Sequence, residues 1–371
     1  MKRILLLNYE FPPLGRGASP VSYELADRLS QSGDFDIDVV TMGFHGLPKY
    51  EEVNPHFRIH RVPCLRSKKG ICHPWEQATY LFTGYRKAVA LIRKQRYDLC
   101  HCHFIIPVGD IALRLKKNFG LPYIITAHGS DVLGYNARFK ALYPFLVGRW
   151  KRILDGTENI ISPSNFLKGE ILKVYTEFEP SKIEVIPNGF DTKKFIPRPK
   201  KNWIFSSGVL LPMKGFQYLI QAVSDEDVGY EVHIAGDGPM MGELKVLAEK
   251  SKTKIVFHGW IANKGKEYKD LIEQAAIYAL ASEKENASIS LLEAMSSGCA
   301  MVTTNSSGCR ETVGDAGLLV ELNDARDLKQ KIYSLIANTA AMSDLQEKSK
   351  KRVESVFGWD VVLKEYSDAL L

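Results

Sequence analysis

The sequence predicts an α/β protein built of two doubly wound domains, and three observations carry that reading. Its 371 residues exceed the roughly 100–200 that one core usually serves. Short apolar runs recur along the chain between segments of helical spacing, as strands buried on both faces of a parallel sheet would. The runs also fall into two series, parted by a stretch rich in proline and charge.

The first series comprises residues 4–7, 37–40, 99–104, 123–125, 160–161 and 184–186. The second comprises residues 203–205, 232–235, 254–257, 277–280, 301–303 and 318–320. Between them, residues 193–202 contain Pro197, Pro199 and five basic side chains, the composition of an interdomain linker. Two Rossmann-like domains facing one another across a cleft follow, over residues 1–187 and 188–352, with ligands expected in the cleft. The last segment, 353–371, has helical spacing at Phe357, Val361, Val362 and Tyr366 and suits packing on either domain.

Composition excludes several classes. Hydrophobic residues are 45% and charged residues 25%, values of a soluble globular chain. The apolar run 4–7, between Arg3 and Asn8, is shorter than a signal-peptide core, and no later run nears the roughly 20 residues of a spanning helix. A cytoplasmic protein is expected. The cysteines Cys64, Cys72, Cys100, Cys102, Cys299 and Cys309 form neither a disulfide framework nor a zinc-spaced pair.

The net charge of +6 is uneven: 26 Lys and Arg face 18 Asp and Glu up to Phe190, and 23 face 25 beyond it. The first half therefore suits an acidic partner, a phosphorylated lipid, an anionic glycan or a membrane surface. A solvated basic surface with no partner fits as well. No nucleic-acid partner is expected.

The most informative segment runs from Glu285 through Ala287, Ser288, Ile289 and Glu293 to Gly298. It follows the run 277–280, and Leu291, Leu292 and Met295 keep helical spacing, so Ser288 or Ser290 is placed to cap a helix beyond a strand's carboxyl end. Such a start offers free amides and partial positive charge to an anion. Glu285 before the helix and Glu293 a turn inside it could grip hydroxyls on either side of a diphosphate. By spacing alone, a solvated loop charge and a surface helix residue are the more common account of the pair, Glu being frequent on helices.

The flanking text decides. The chain resembles glycosyltransferase family 4, retaining nucleotide-sugar-dependent enzymes of the GT-B fold, whose pattern is a Glu, seven residues and a second Glu within Leu-Glu-Ala-Met. Further matches are the 97–103 segment with Pro107 and Gly109, the loop His128-Gly129-Ser130-Asp131, the junction around Asn188-Gly189-Phe190-Asp191, Met213-Lys214-Gly215 and Gly236-Asp237-Gly238. Together, in order, they are specific.

The resemblance implies that residues 1–187 bind acceptor, that 188–352 bind donor, and that 353–371 crosses back onto the first domain. It implies that Glu285 holds donor-sugar hydroxyls, that Glu293 holds the ribose, and that Lys214 neutralises the diphosphate. His128 would lie beside the donor sugar and leaving phosphate. The loop with Gly15, Arg16 and Gly17 would approach the donor phosphates or the acceptor, with Arg16 a candidate anion ligand. A hexose-type sugar would pass from a UDP- or GDP-sugar to a glycan, lipid-linked or small-molecule acceptor. No metal or other cofactor is implied, the nucleotide sugar being a co-substrate. Two departures stand out: Val209 occupies the place of a usual Arg, and Ser307-Gly308 replaces Gly-Gly. The first keeps open a catalytically impaired relative; another GT-B enzyme, such as a sugar-nucleotide epimerase, is a further alternative.

Three motifs are discounted. Asp34, Asp36 and Asp38 lead into a strand and read as its solvent-facing edge. The segment Cys100-His101-Cys102-His103 alternates, sending cysteines and histidines to opposite faces. Trp260 reads as packing.

Overall fold

A computed structural model describes residues 1–15, 17–135, 142–262 and 265–371. It divides into two units, Met1–Gly189 with Val362–Leu371, and Phe190–Val361. Among the described residues no helix is long and apolar enough to cross a membrane.

In chain order the first unit contains β1 (Lys2–Leu7), α1 (Ala18–Gln31), β2 (Phe35–Met42), β3 (Tyr50–Asn54), β4 (Phe57–Val62), α2 (Pro74–Ile92), β5 (Leu99–His103) and α3 (Val108–Phe119). β6 (Tyr123–Thr126), α4 (Tyr143–Gly156), β7 (Ile160–Ser162), α5 (Asn165–Val174) and β8 (Ile183–Val185) follow. The strands form one sheet in the order β3-β4-β2-β1-β5-β6-β7-β8, parallel except for the β3–β4 hairpin. Leu5 on β1 lies between Asp38 and Cys100, and the central apolar side chains Leu5, Val39 and Ile125 are fully buried.

The hairpin escaped the apolar-run reading because β4 carries Arg58, His60 and Arg61. Their partners show why. Arg58 Nε donates to Asp38 Oδ1 at 3.0 Å and its Nη2 to Asp36 Oδ1 at 2.6 Å, while His60 Nε2 lies 2.7 Å from Asp38 Oδ1. Asp36 and Asp38 are thus buried, which corrects the solvent-facing reading. Burial alone would raise Asp38, but hydrogen bonds from His60, Arg58 and Tyr97 hold it well below the usual carboxylate range.

The second unit contains β9 (Lys201–Ser207), α6 (Phe216–Ser224), β10 (Glu231–Ala235), α7 (Met241–Ala248), β11 (Ile255–Gly259), α8 (Lys266–Gln274) and β12 (Ala275–Leu280). It continues through α9 (Ile289–Ser296), β13 (Ala300–Thr304), α10 (Ser307–Val313), β14 (Gly317–Val320), α11 (Ala325–Ala337) and α12 (Thr339–Phe357). Its six strands are all parallel, in the order β11-β10-β9-β12-β13-β14, the doubly wound arrangement of a dinucleotide-fold sheet.

The stretch 193–202 is no free linker. Lys201 and Asn202 begin β9, and Lys200 Nζ donates to the carbonyls of Glu273 and Ser297 at 3.0 and 2.6 Å. The segment 353–371 is likewise not one piece. Residues 353–357 finish α12, and α13 (Trp359–Leu370) begins after Gly358. Val362, Tyr366 and Leu370 of α13, spaced one turn apart, are buried, and Lys2 Nζ donates to the Leu370 carbonyl at 3.0 Å. Trp260 is 74% exposed and does not pack.

Candidate active site

In each sheet the strand order reverses between two neighbours: β9 and β12 in the second unit, β1 and β5 in the first. The crossovers leave on opposite sides there, so a crevice opens at the strands' carboxyl ends, where ligands of open α/β sheets bind.

In the second unit Lys214 follows β9 and Glu285 follows β12. Lys214 ends a single tight turn, Pro212–Lys214, closed by Gly215 at φ +73°. A Cβ at Gly215 would lie 2.0 Å from the Ala281 carbonyl oxygen, so only glycine lets the two loops approach. Glu283 N and Ser282 Oγ both donate to the Met213 carbonyl, at 2.8 and 3.1 Å. Stitched in this way, the loops bring the Lys214 ammonium onto the Glu285 carboxylate as an ion pair. Glu285 N donates to Ser307 Oγ at 3.0 Å, and its carbonyl accepts from Gly308 N at 2.8 Å.

Helix α9 starts directly beyond. Ser288 holds the N-cap position without a side-chain capping bond; its hydroxyl instead lies 3.1 Å from that of Ser290, which corrects the expected cap. Ala287, Ser288 and Ile289 form the helix start, whose first-turn amides can meet an anion.

Glu293 is not the solvated helix residue that spacing allows. It is buried and accepts from Tyr268 OH at 2.7 Å; the same phenol lies 3.0 Å from Ser207 Oγ, itself 3.1 Å from Tyr278 OH. Burial and the Glu293 charge push the Tyr268 phenol well up, so it stays a donor. Val209 is exposed on the loop after β9, and Arg310 is exposed on α10.

In the first unit Gly15, at φ +89°, donates its amide to the Lys69 carbonyl at 2.8 Å. Gly17 sits exposed at the start of α1, and a Cβ there would meet nothing within 4 Å. Arg16 lies outside the described residues.

His128 follows β6. Its Nε2 is 3.0 Å from His103 Nδ1, with the rings stacked at 5.2 Å, and the Phe104 ring lies 4.5 Å away. Desolvation pulls His128 down to about 3, so its imidazole is neutral at physiological pH. The cysteines of β5 touch each other, Sγ to Sγ 3.8 Å, on the face opposite the histidines. No cluster of metal-ligating side chains occurs among the described residues.

Sequence reasoning passed over Asp131, which organises this loop. Its carboxylate accepts from Ile105 N at 2.7 Å and His128 N at 3.0 Å, and its carbonyl accepts from Trp150 Nε1 at 3.1 Å. It thereby fastens the loop after β6 to the end of β5. Burial raises Asp131 to about 6 against the pull of those amides. It had been in plain view beside His128. Phe104, by contrast, gave no signal: its φ of +78° is costly for an aromatic residue.

Comparison with known proteins bears on the family and the fold. A model for glycosyltransferase family 4 matches residues 15–194, and one for glycosyl transferases group 1 matches residues 189–352. The chain belongs to this glycosyltransferase family. An uncharacterised glycosyltransferase of Methanocaldococcus jannaschii is 25% identical over 361 residues, covering 96% of this chain and 95% of that protein. The UDP-Gal:alpha-D-GlcNAc-diphosphoundecaprenol alpha-1,3-galactosyltransferase of Escherichia coli is 26% identical, covering 87% and 85%. A solved sucrose-phosphate synthase from Thermosynechococcus elongatus superposes with a TM-score of 0.80 at 20% identity, covering 100% of this chain and 98% of the other. The protein is thus a glycosyltransferase of the GT-B fold.

Proposed function

We propose that this glycosyltransferase moves a hexose-type sugar from a UDP- or GDP-sugar to a glycan, lipid-linked or small-molecule acceptor, with retention of anomeric configuration. The single observation that carries the reading is the Lys214–Glu285 pair at the β9/β12 switch point, beside the start of α9. A cation and a helix start suit a diphosphate. A carboxylate at the same point suits the hydroxyls of the attached sugar, and Glu293 suits those of a ribose. That the galactosyltransferase relative is named for a UDP-sugar and a diphospholipid-linked acceptor supports the same donor and acceptor classes.

The second unit binds the donor and the first the acceptor. Gly15 and Gly17 bring backbone close to the reacting groups, and neutral His128 serves as a hydrogen-bonding group. In the reaction the acceptor oxygen bonds to the anomeric carbon as the bond to the phosphate oxygen breaks on the same face. The acceptor's proton passes to the departing phosphate oxygen, and nucleoside diphosphate leaves. No side chain becomes covalently attached; the main contribution of Lys214 and the α9 amides is to stabilise the charge that develops on the leaving group. Because they supply positive charge, no metal is required. The basic excess of the first half suits work at an anionic lipid surface.

Melting curves with UDP, GDP and ADP, with and without EDTA, test the reading. One nucleoside diphosphate at 100 times its Kd should add about 2.7 kcal/mol of stability, insensitive to EDTA and much reduced in Lys214→Ala. A folded protein that responds to none of them overturns it.

A further inference from the structure

The first unit contains a cavity of about 540 Å³, within the roughly 300–1,000 Å³ of small-molecule sites. It opens at the β1/β5 switch point. Tyr9 follows β1, Ile106 follows β5 and Val132 follows β6, while Ala78 and Leu81 of α2 and Leu146 of α4 close the walls. Asp131, which holds the His128 amide, also lines it, so an occupant reaches the His128 loop.

The chemistry of the walls narrows the occupant. Arg149 is the one cation of the lining among the described residues, and it is committed to Asp110, its Nε donating to Oδ1 at 2.5 Å. Glu10 lies 3.5 Å from the buried Arg66 guanidinium, and Asp131 is occupied by backbone amides. Among the described residues, a phosphate or carboxylate would meet carboxylates with no uncommitted cation of the lining to offset them. Apart from Cys72, Gln77 and Ser130, the remaining walls are aliphatic and aromatic. Outside the cavity lining, α2 and α4 also expose Trp75, Phe82 and Phe145.

We propose that this cavity takes the uncharged aliphatic or isoprenoid portion of an amphipathic acceptor, leaving its hydroxyl-bearing head at the His128 loop. The proposal rests on the reading of the first unit as the acceptor-binding one.

Its test is calorimetric titration, without donor, of methyl, hexyl and decyl β-D-glucosides below their micelle concentrations. Affinity should rise with chain length, by up to about fourfold for each methylene that becomes buried. Ala78→Phe, which fills the cavity, should lose tenfold or more for the decyl compound; Leu81→Ser is a second variant should the first not fold. Equal affinity for the three chains, or a chain-length dependence unchanged in the folded variants, would overturn the proposal. Nucleotide melting shifts report the donor reading separately. If they vanish while the chain-length dependence persists, only the donor reading fails; if they persist while the dependence is missing, only this proposal fails.

Discussion

Lys214 and Glu285, 71 positions apart in the chain, form an ion pair across the two loops that leave β9 and β12. The pair is partly solvated, with side-chain exposures of 24% and 12%. Its worth to folding is therefore small, about 1 kcal/mol or less. Its worth to a bound diphosphate is larger, because a charge-assisted hydrogen bond contributes about 1.5–3 kcal/mol. Lys214→Ala should lower nucleoside diphosphate affinity by roughly 10- to 100-fold by calorimetry while the melting temperature hardly moves. A large fall in melting temperature with unchanged affinity would make the lysine structural.

The buried histidines of the first unit make its stability depend on acid. His101 is held down to about 3 by burial and then by the neighbouring His128; His128 sits at about 3, and His103 lies well below its ordinary value. Above the unfolded value of about 6.5 both states are neutral and nothing is gained or lost. Below it the unfolded chain takes up protons that the folded chain refuses, so stability falls from about pH 6.5 toward 3. Each histidine costs up to about 2 kcal/mol between pH 7 and 5. Asp131, raised to about 6, acts in the opposite sense between about pH 6 and 4, one group against three. Denaturant titrations at pH 7, 6 and 5 should show a net loss, with a shallower slope in His101→Gln.

Much of the fold was legible because parallel strands covered on both faces read as apolar runs, and each of the twelve runs overlaps a strand, to within one residue at its ends. What was not legible is where charge enters the sheet. β4 hides behind Arg58, His60 and Arg61, whose meaning depends on Asp36 and Asp38 of β2, a pairing no local pattern encodes. At the site the motif picked out Lys214, Glu285 and Glu293, but Tyr268 and Ser207 support Glu293 from 25 or more residues away. Such support is a property of packing, which spacing along the chain does not record.

Ser307 shows how a departure from the family pattern is accommodated. It sits at φ +52°, where a side chain costs roughly 1–2 kcal/mol, yet its hydroxyl receives the Glu285 amide at 3.0 Å. Ser307→Gly relieves the strain and loses the bond, worth about 0.5–1.5 kcal/mol, so its unfolding free energy should stay within about 1 kcal/mol of the parent. Ser307→Ala keeps the strain and loses the bond, and should be destabilised by about 1 kcal/mol. A Ser307→Ala variant as stable as the parent in urea titrations would show that the hydroxyl does not hold Glu285 in solution.

Tyr268→Phe isolates the support of Glu293. The phenol donates to a buried carboxylate at 2.7 Å and is itself tied to Ser207, so the variant removes a donor while keeping the ring that packs edge-on against Phe195 and Phe205. Losing a hydrogen bond to a charged group should cost about 1.5–3 kcal/mol of stability. Removing that donor loosens the orientation of the Glu293 carboxylate, so affinity for a nucleoside diphosphate should fall several-fold. The matching 2′-deoxynucleotide tests whether ribose is what Glu293 holds. The parent should prefer the ribonucleotide and Tyr268→Phe should prefer it less, because the lost contact is the one that orients the carboxylate toward the hydroxyl. An equal preference in both proteins would leave Tyr268 a packing residue and assign the ribose to another group.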